Sequence, residues 1–122
     1  YNLNVLLVDD REINLKVAGL MLQKLGCEVE TAKNGEVAIA KYDENPKKFD
    51  LIIMDIQMPI MDGINATKKL KRKYPENLAP IYGLSAQIPK NLNKTPEELG
   101  FDFYLTKPLC LETLEKSLKR IV

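Results

Sequence analysis

Three aspartates, Asp9, Asp10 and Asp55, stand where short apolar runs stop. Asp9 and Asp10 follow Leu3-Asn4-Val5-Leu6-Leu7-Val8, and Asp55 follows Leu51-Ile52-Ile53-Met54. Two more polar residues end such runs: Ser85 after Pro80-Ile81-Tyr82-Gly83-Leu84, and Lys107 after Phe103-Tyr104-Leu105-Thr106. Three carboxylates brought together repel one another. At an effective dielectric of ~20, a like-charged pair a few ångströms apart costs roughly 3–4 kcal/mol. A hard divalent cation is the simplest remedy, and Mg²⁺ takes oxygen ligands while keeping several waters. A carboxylate beside Mg²⁺, with a lysine opposite, is suited to receiving a phosphoryl group, because cation and ammonium neutralise the transferring oxygens. A hydroxyl such as that of Ser85 can hydrogen-bond one of those oxygens. The product would be an acyl phosphate on aspartate.

Taken one at a time, these residues also have plainer readings. Asp9 and Asp10 suit the N-terminus of a following helix. Asp55 alone reads as a loop aspartate, Ser85 as a small turn residue and Lys107 as a solvated lysine. Only joint placement separates the two readings, so the elements that carry the residues decide the matter.

Apolar runs alternate with helical patterns five times, the signature of an α/β chain. Strands are expected over 3–8, 28–32, 50–54, 79–84 and 102–105. Residues 12–25 carry Ile13, Val17, Leu20, Met21 and Leu25 at helical spacing, and Gly26 reads as the stop. A second helix opens at Lys33 or Asn34 and closes before Pro46, and a third spans 63–73. Leu111, Leu114, Leu118 and Ile121 give the last helix an apolar stripe suited to core packing. The fourth crossover carries Pro89 and Pro96. Thr95-Pro96-Glu97-Glu98 has the form of a helix start with a capping box, which predicts a short helix from Thr95 after an irregular 87–94 loop. A longer helix kinked at Pro96 is the alternative. Five strands joined by helical crossovers predict a doubly wound parallel sheet of flavodoxin-like order 2-1-3-4-5, flanked by five helices. That order sets the first and third strands side by side at the switch point, where Asp9, Asp10 and Asp55 converge.

Composition bounds the remaining choices. The 122 residues are near the commonest size for one domain, and no linker, repeat or low-complexity segment divides them. With 45% apolar and 29% charged residues the chain has an ordinary globular composition. Eighteen basic against seventeen acidic side chains (net +1) argue against a dedicated nucleic-acid binder. The basic run Lys68-Lys69-Leu70-Lys71-Arg72-Lys73 therefore reads as the exposed face of the third helix. Histidine is absent, which excludes histidine acid–base catalysis, serine–histidine triads and histidine-ligated zinc. Cys27 and Cys110 fit no metal or redox spacing and read as buried reduced thiols, which suits the cytoplasm. No apolar stretch approaches the length of a membrane span. Because it opens on Tyr1, the chain reads as a segment of a longer protein.

Val8-Asp9-Asp10, Met54-Asp55 with Met58-Pro59-Ile60-Met61-Asp62-Gly63, Leu84-Ser85-Ala86 and Lys107-Pro108 occur in this order, each at a strand end. In this combination the chain resembles a receiver domain of a two-component response regulator or hybrid histidine kinase, over essentially its whole length. The resemblance implies that Asp55 is the phosphoacceptor, that Asp10 ligates Mg²⁺ directly, and that Asp9 acts mainly through water. It implies a further ligand in the backbone carbonyl of Gln57, with Mn²⁺ able to replace Mg²⁺. Lys107 is expected to pair with the phosphoryl group and Ser85 to hydrogen-bond it. Tyr104 matches the aromatic switch that turns inward as the hydroxyl residue moves. The implied donor is a phosphohistidine on a histidine kinase or histidine phosphotransfer protein. The implied output face, and the face of a possible homodimer, is built from the fourth helix, fifth strand and last helix. Such a domain is a signalling switch that catalyses its own modification, without direct contact with nucleic acid or membrane. Gln57 and Gln87 occupy positions that tune phosphoryl lifetime in this family. Two rivals are a receiver fold without phosphotransfer and a phosphohydrolase using an aspartyl phosphate; such hydrolases typically carry a second acid where this chain has Gln57.

Overall fold

Five parallel strands form one sheet in the order β2-β1-β3-β4-β5. They are β1 (Asn4–Val8), β2 (Glu28–Ala32), β3 (Leu51–Asp55), β4 (Ile81–Ser85) and β5 (Phe103–Thr106). The structure, a computed structural model, describes residues 2–56, 58, 61–85, 100–107 and 109–121. Four helices lie among the described residues: α1 (Glu12–Lys24), α2 (Gly35–Glu44), α3 (Gly63–Lys73) and α4 (Leu111–Leu118). The short helix expected from Thr95, and with it the fourth crossover over 86–99, falls outside the described residues.

The central strands are buried throughout β3 and β4, which explains their unbroken apolar runs. The edge strands β2 and β5 are only partly covered. Alternate residues of each strand feed two cores. Leu6, Val8, Ile52, Met54 and Ile81 pack with Tyr42 of α2 and with Ala66 and Leu70 of α3. Val5, Leu7, Ile53, Leu84 and Leu105 pack with Leu15 and Leu22 of α1 and with Leu114 and Leu118 of α4.

Local chemistry sets the helix limits. Asn34 caps α2 by accepting from the Val37 N–H at 2.9 Å, and Asp62 caps α3 by accepting from the Asn65 N–H at 2.8 Å. Gly26, at φ +93°, ends α1 in the left-handed conformation. Its N–H donates to the Gln23 carbonyl and that of Cys27 to the Leu22 carbonyl, the paired bonds of a Schellman turn. The α2 and α3 helices are also tied at their ends, where Asp43 accepts from the Lys73 ammonium and the Tyr74 hydroxyl. The Lys73 bond, and then the Tyr74 bond, hold the Asp43 carboxyl below its usual range. The Asp43 carboxylate in turn pushes the Tyr74 phenol up to about 12.

The structure refines one expectation and changes another. In α1 the stripe turned to the sheet is Leu15, Ala18 and Leu22. Ile13, Val17 and Leu20, apolar and at helical spacing, are 65%, 46% and 60% exposed. The helix carries two apolar stripes, and the sheet covers one. The change concerns the thiols. Cys27 is buried and burial pushes its thiol up, but Cys110 is exposed because it occupies the N-cap position of α4. Hydrogen bonding to Thr113 pushes the Cys110 thiol down.

Candidate functional site

At the carboxyl end of β1 the Asp9 N–H donates to the Ala32 carbonyl at 3.1 Å, so the chain stays pinned to the sheet one residue past the strand. The Asp9 side chain turns inward and is 1% exposed. Its Oδ1 accepts from the Arg11 N–H at 2.9 Å, an Asx turn, and from Asn14 Nδ2 at 3.5 Å. Arg11 occupies the N-cap position of α1 without a side-chain cap bond, so neither Asp9 nor Asp10 is the helix cap. Asp10 is exposed at the rim. Asn14 had no signal in apolar periodicity; its contact with Asp9 depends on the turn that Asp9 itself makes.

Asp55 is the last residue of β3, not the first beyond it, and is buried. The chain leaves it under tight constraint. The Ile56 N–H donates to the Leu84 carbonyl at 3.0 Å, and the Gly63 N–H donates to the Ile56 carbonyl at 2.9 Å. A Cβ on Gly63 would stand 2.3 Å from the Asp55 carbonyl oxygen. Glycine is therefore required where α3 begins, for close approach to the strand carrying Asp55. Asp62, which caps α3, and Gly63 together fix where that helix starts against β3.

Ser85 is the last residue of β4 and is buried, and its carbonyl accepts from the Lys107 N–H at 2.8 Å. That bond holds Lys107 just beyond β5, with its ammonium 3.1 Å from Asp55 Oδ2 and 3.4 Å from Asp9 Oδ2. Tyr104 lies half-buried on β5 with its hydroxyl buried, its ring 5.7 Å from that of Phe101 and tilted by 50°. Gln57, Ala86, Gln87 and Pro108 fall outside the described residues.

One carboxylate oxygen from each of Asp9, Asp10 and Asp55 lies within 4.8 Å of the others. At an effective dielectric of ~20 such a separation costs roughly 3.5 kcal/mol per like-charged pair, and among the described residues the Lys107 ammonium pairs with two of the three carboxylates, Asp9 and Asp55. Asp9 Oδ2 is buried and accepts no hydrogen bond among the described residues, and its charge is met by the Lys107 ammonium at 3.4 Å. A buried acceptor left in this condition is costly. An all-oxygen donor set that is acid-rich, part-exposed through Asp10 and short of a hydrogen bond at Asp9 Oδ2 fits a hard divalent cation.

Comparison with known proteins agrees with this arrangement. The family described as the response regulator receiver domain matches residues 5–119. The aerobic respiration control sensor protein ArcB of Escherichia coli (strain K12) is 38% identical over 119 residues, which cover 97% of this chain and 15% of ArcB. The chain thus spans less than a sixth of that relative's length. Among solved structures, the receiver domain of sensor histidine kinase PA1611 from Pseudomonas aeruginosa superposes with a TM-score of 0.86 at 29% identity, covering 99% of this chain and 98% of that one. Its structure holds a magnesium ion coordinated in the active-site cleft. The receiver domain of Ssk1 from Saccharomyces cerevisiae, solved with the histidine phosphotransfer protein Ypd1, superposes with a TM-score of 0.87 at 30% identity, covering 98% of this chain and 88% of that one. With acidic residues from β1 and β3 meeting the lysine that follows β5 at one end of this sheet, the chain belongs to the response regulator receiver domain family.

Proposed function

We propose that Asp55 is the phosphoacceptor of this receiver domain, taking a phosphoryl group from a phosphohistidine on a histidine kinase or histidine phosphotransfer protein. The observation that carries this reading is the Lys107 ammonium, 3.1 Å from Asp55 Oδ2 and 3.4 Å from Asp9 Oδ2. Asp9, Asp10 and Asp55, with the Gln57 backbone carbonyl, would hold Mg²⁺, and Mn²⁺ is a substitute of similar ligand preference. When bound, such a cation neutralises charge on the transferring oxygens. The chain's own residues do the rest. The Asp55 carboxylate is the nucleophile; its oxygen forms the new bond to phosphorus as the nitrogen–phosphorus bond breaks and the electron pair returns to the donor's imidazole. The Lys107 ammonium pairs with a phosphoryl oxygen and so offsets charge where Asp9 and Asp55 already repel. The Ser85 hydroxyl donates to another phosphoryl oxygen, and Tyr104 follows it inward, biasing a two-state face.

The domain, read as one unit over 1–122, acts as a switch and not as a turnover enzyme, although it catalyses its own phosphorylation and dephosphorylation. The donor's docking place is the uncovered stripe of α1, Ile13, Val17 and Leu20, which begins three residues after Asp10. Exposed apolar side chains in a row favour a protein partner. The face that includes β5 and α4 serves output or a homodimer, and the basic face of α3 stays solvated. Among the described residues no helix is long and apolar enough to cross a membrane. The similarity to ArcB supports a hybrid kinase as the parent chain.

The test is intact mass after incubation with acetyl phosphate and Mg²⁺. A single phosphoryl increase, lost in Asp55→Asn and lost on chelation, is expected. No increase in the wild-type chain would make this a receiver fold that only binds partners.

A further inference from the structure

Gly83 sits in the middle of β4, a strand buried along its whole length. Glycine is disfavoured in a strand interior and often marks close approach by another group. The backbone there is ordinary strand, so main-chain conformation does not require it. Its neighbours do. A Cβ at Gly83 would stand 3.0 Å from Tyr104 Cδ1, 3.1 Å from Phe101 Cδ1 and 3.2 Å from Ile56 Cδ1. Carbon atoms in good contact lie about 3.5–4.0 Å apart. All three crowding atoms belong to side chains.

Gly83 and Tyr104 are register partners across β4 and β5. The Tyr104 ring borders the gap that Gly83 leaves, and its hydroxyl is buried. Ser85 lies two residues further along β4, and alternate residues of a strand share a face. Ring and serine therefore occupy the same side of the sheet, one behind the other.

We propose that Gly83 is a positioning residue, and that the hollow left by its missing side chain is the seat that holds the Tyr104 ring inward behind Ser85. The functional consequence rests on the reading of Tyr104 as the switch coupled to Asp55. A methyl group in the seat crowds the Tyr104 ring first and the Phe101 and Ile56 side chains after it, so these groups must give by a few tenths of an ångström. Coupling is reciprocal: if phosphorylation favours the inward ring, then filling the seat disfavours phosphorylation.

The experiment labels the protein with ring-fluorinated tyrosine and assigns the Tyr104 signal from Tyr104→Phe. Spectra are recorded for the wild type and Gly83→Ala, with and without Mg²⁺ and beryllium fluoride as a phosphoryl mimic. The Tyr104 signal of Gly83→Ala is expected to move towards that of solvent-exposed tyrosine while the Tyr42 and Tyr82 signals hold. Phosphorylation by acetyl phosphate is expected to slow by about fivefold or more, and the slowing is expected to vanish in a Tyr104→Ala background. An unmoved Tyr104 signal overturns the seat, and so does an equal slowing without Tyr104. If Gly83→Ala does not fold, adding Tyr104→Ala must restore folding, since the Tyr104 ring is the nearest of the three crowding groups; failure there also overturns the proposal. A moved ring alongside a Tyr104→Ala protein that phosphorylates as the wild type keeps the seat and rejects the switch.

Discussion

Lys107 Nζ lies 3.1 Å from Asp55 Oδ2, although 52 residues separate them in the chain. The contact spans β4: Asp55 ends β3, Lys107 follows β5, and the Ser85 carbonyl between them anchors the Lys107 backbone. Two strand spacings, roughly 9–10 Å, are bridged by one flexible side chain. The same ammonium reaches Asp9 Oδ2, so a single lysine balances the two buried carboxylates of the cluster.

That balance predicts opposite effects on Mg²⁺ affinity from two substitutions. Lys107→Met removes a competing positive charge and tightens Mg²⁺ by about fivefold, on the order of 1 kcal/mol. Asp10→Asn removes a carboxylate from the exposed rim and weakens it by a similar factor or more. Calorimetric titration with MgCl₂ reads both. The wild-type melting temperature rises with Mg²⁺ by mass action, and the rise shrinks in Asp10→Asn.

Gly63→Ala is expected to cost about 3 kcal/mol or more of stability. Its Cβ would meet the Asp55 carbonyl oxygen at 2.3 Å, and main chain cannot step aside as a flexible side chain can. Urea unfolding measures the loss, which should exceed that of Gly19→Ala, where nothing lies within 4 Å.

The tie between α2 and α3 responds to pH at both extremes. The Asp43 carboxyl is lowered by its bonds from Lys73 and Tyr74. Its contribution is therefore full above the unfolded carboxylate range and is lost as pH falls through the lowered folded value. Tyr74 is raised to about 12. Its contribution is full below the ordinary phenol value of ~10 and is lost as pH rises through the folded one. In Asp43→Asn, ultraviolet titration should show the Tyr74 step return towards ~10, and the acid loss attributable to Asp43 should disappear.

Leu20→Asp separates docking from chemistry. Leu20 is 60% exposed, so its replacement should change stability by no more than about 0.5 kcal/mol. Phosphorylation by acetyl phosphate should be unchanged, while transfer from a phosphorylated histidine phosphotransfer protein slows about tenfold, as loss of one apolar anchor of roughly 1.4 kcal/mol implies. Stopped-flow transfer kinetics with both donors read the difference.

The apolar runs made the sheet legible because a strand buried on both faces has no polar residue to interrupt it, as Leu51–Met54 shows. Strand ends were less so: Asp55 and Ser85 belong to their strands, since polarity marks where apolar packing stops and not where the hydrogen-bond ladder does. The acidic cluster was legible from the same punctuation. The covered face of α1 was not, because Ile13-Val17-Leu20 and Leu15-Ala18-Leu22 both have helical spacing, and only the sheet chooses between them. Asn14 and Gly83 were invisible for another reason. Their roles come from contacts with Asp9 and Tyr104 that exist only once turn and register are formed.

The most direct measurement is the position of the acyl phosphate itself. After brief phosphorylation with Mg²⁺ and acetyl phosphate, borohydride reduces an aspartyl phosphate to homoserine, and peptide mass mapping locates the reduced residue. Reduction at Asp55 alone, absent without Mg²⁺, is the expected result. Reduction at Asp9 or Asp10 instead, or none at any aspartate, would contradict the assignment of Asp55 as the phosphoacceptor.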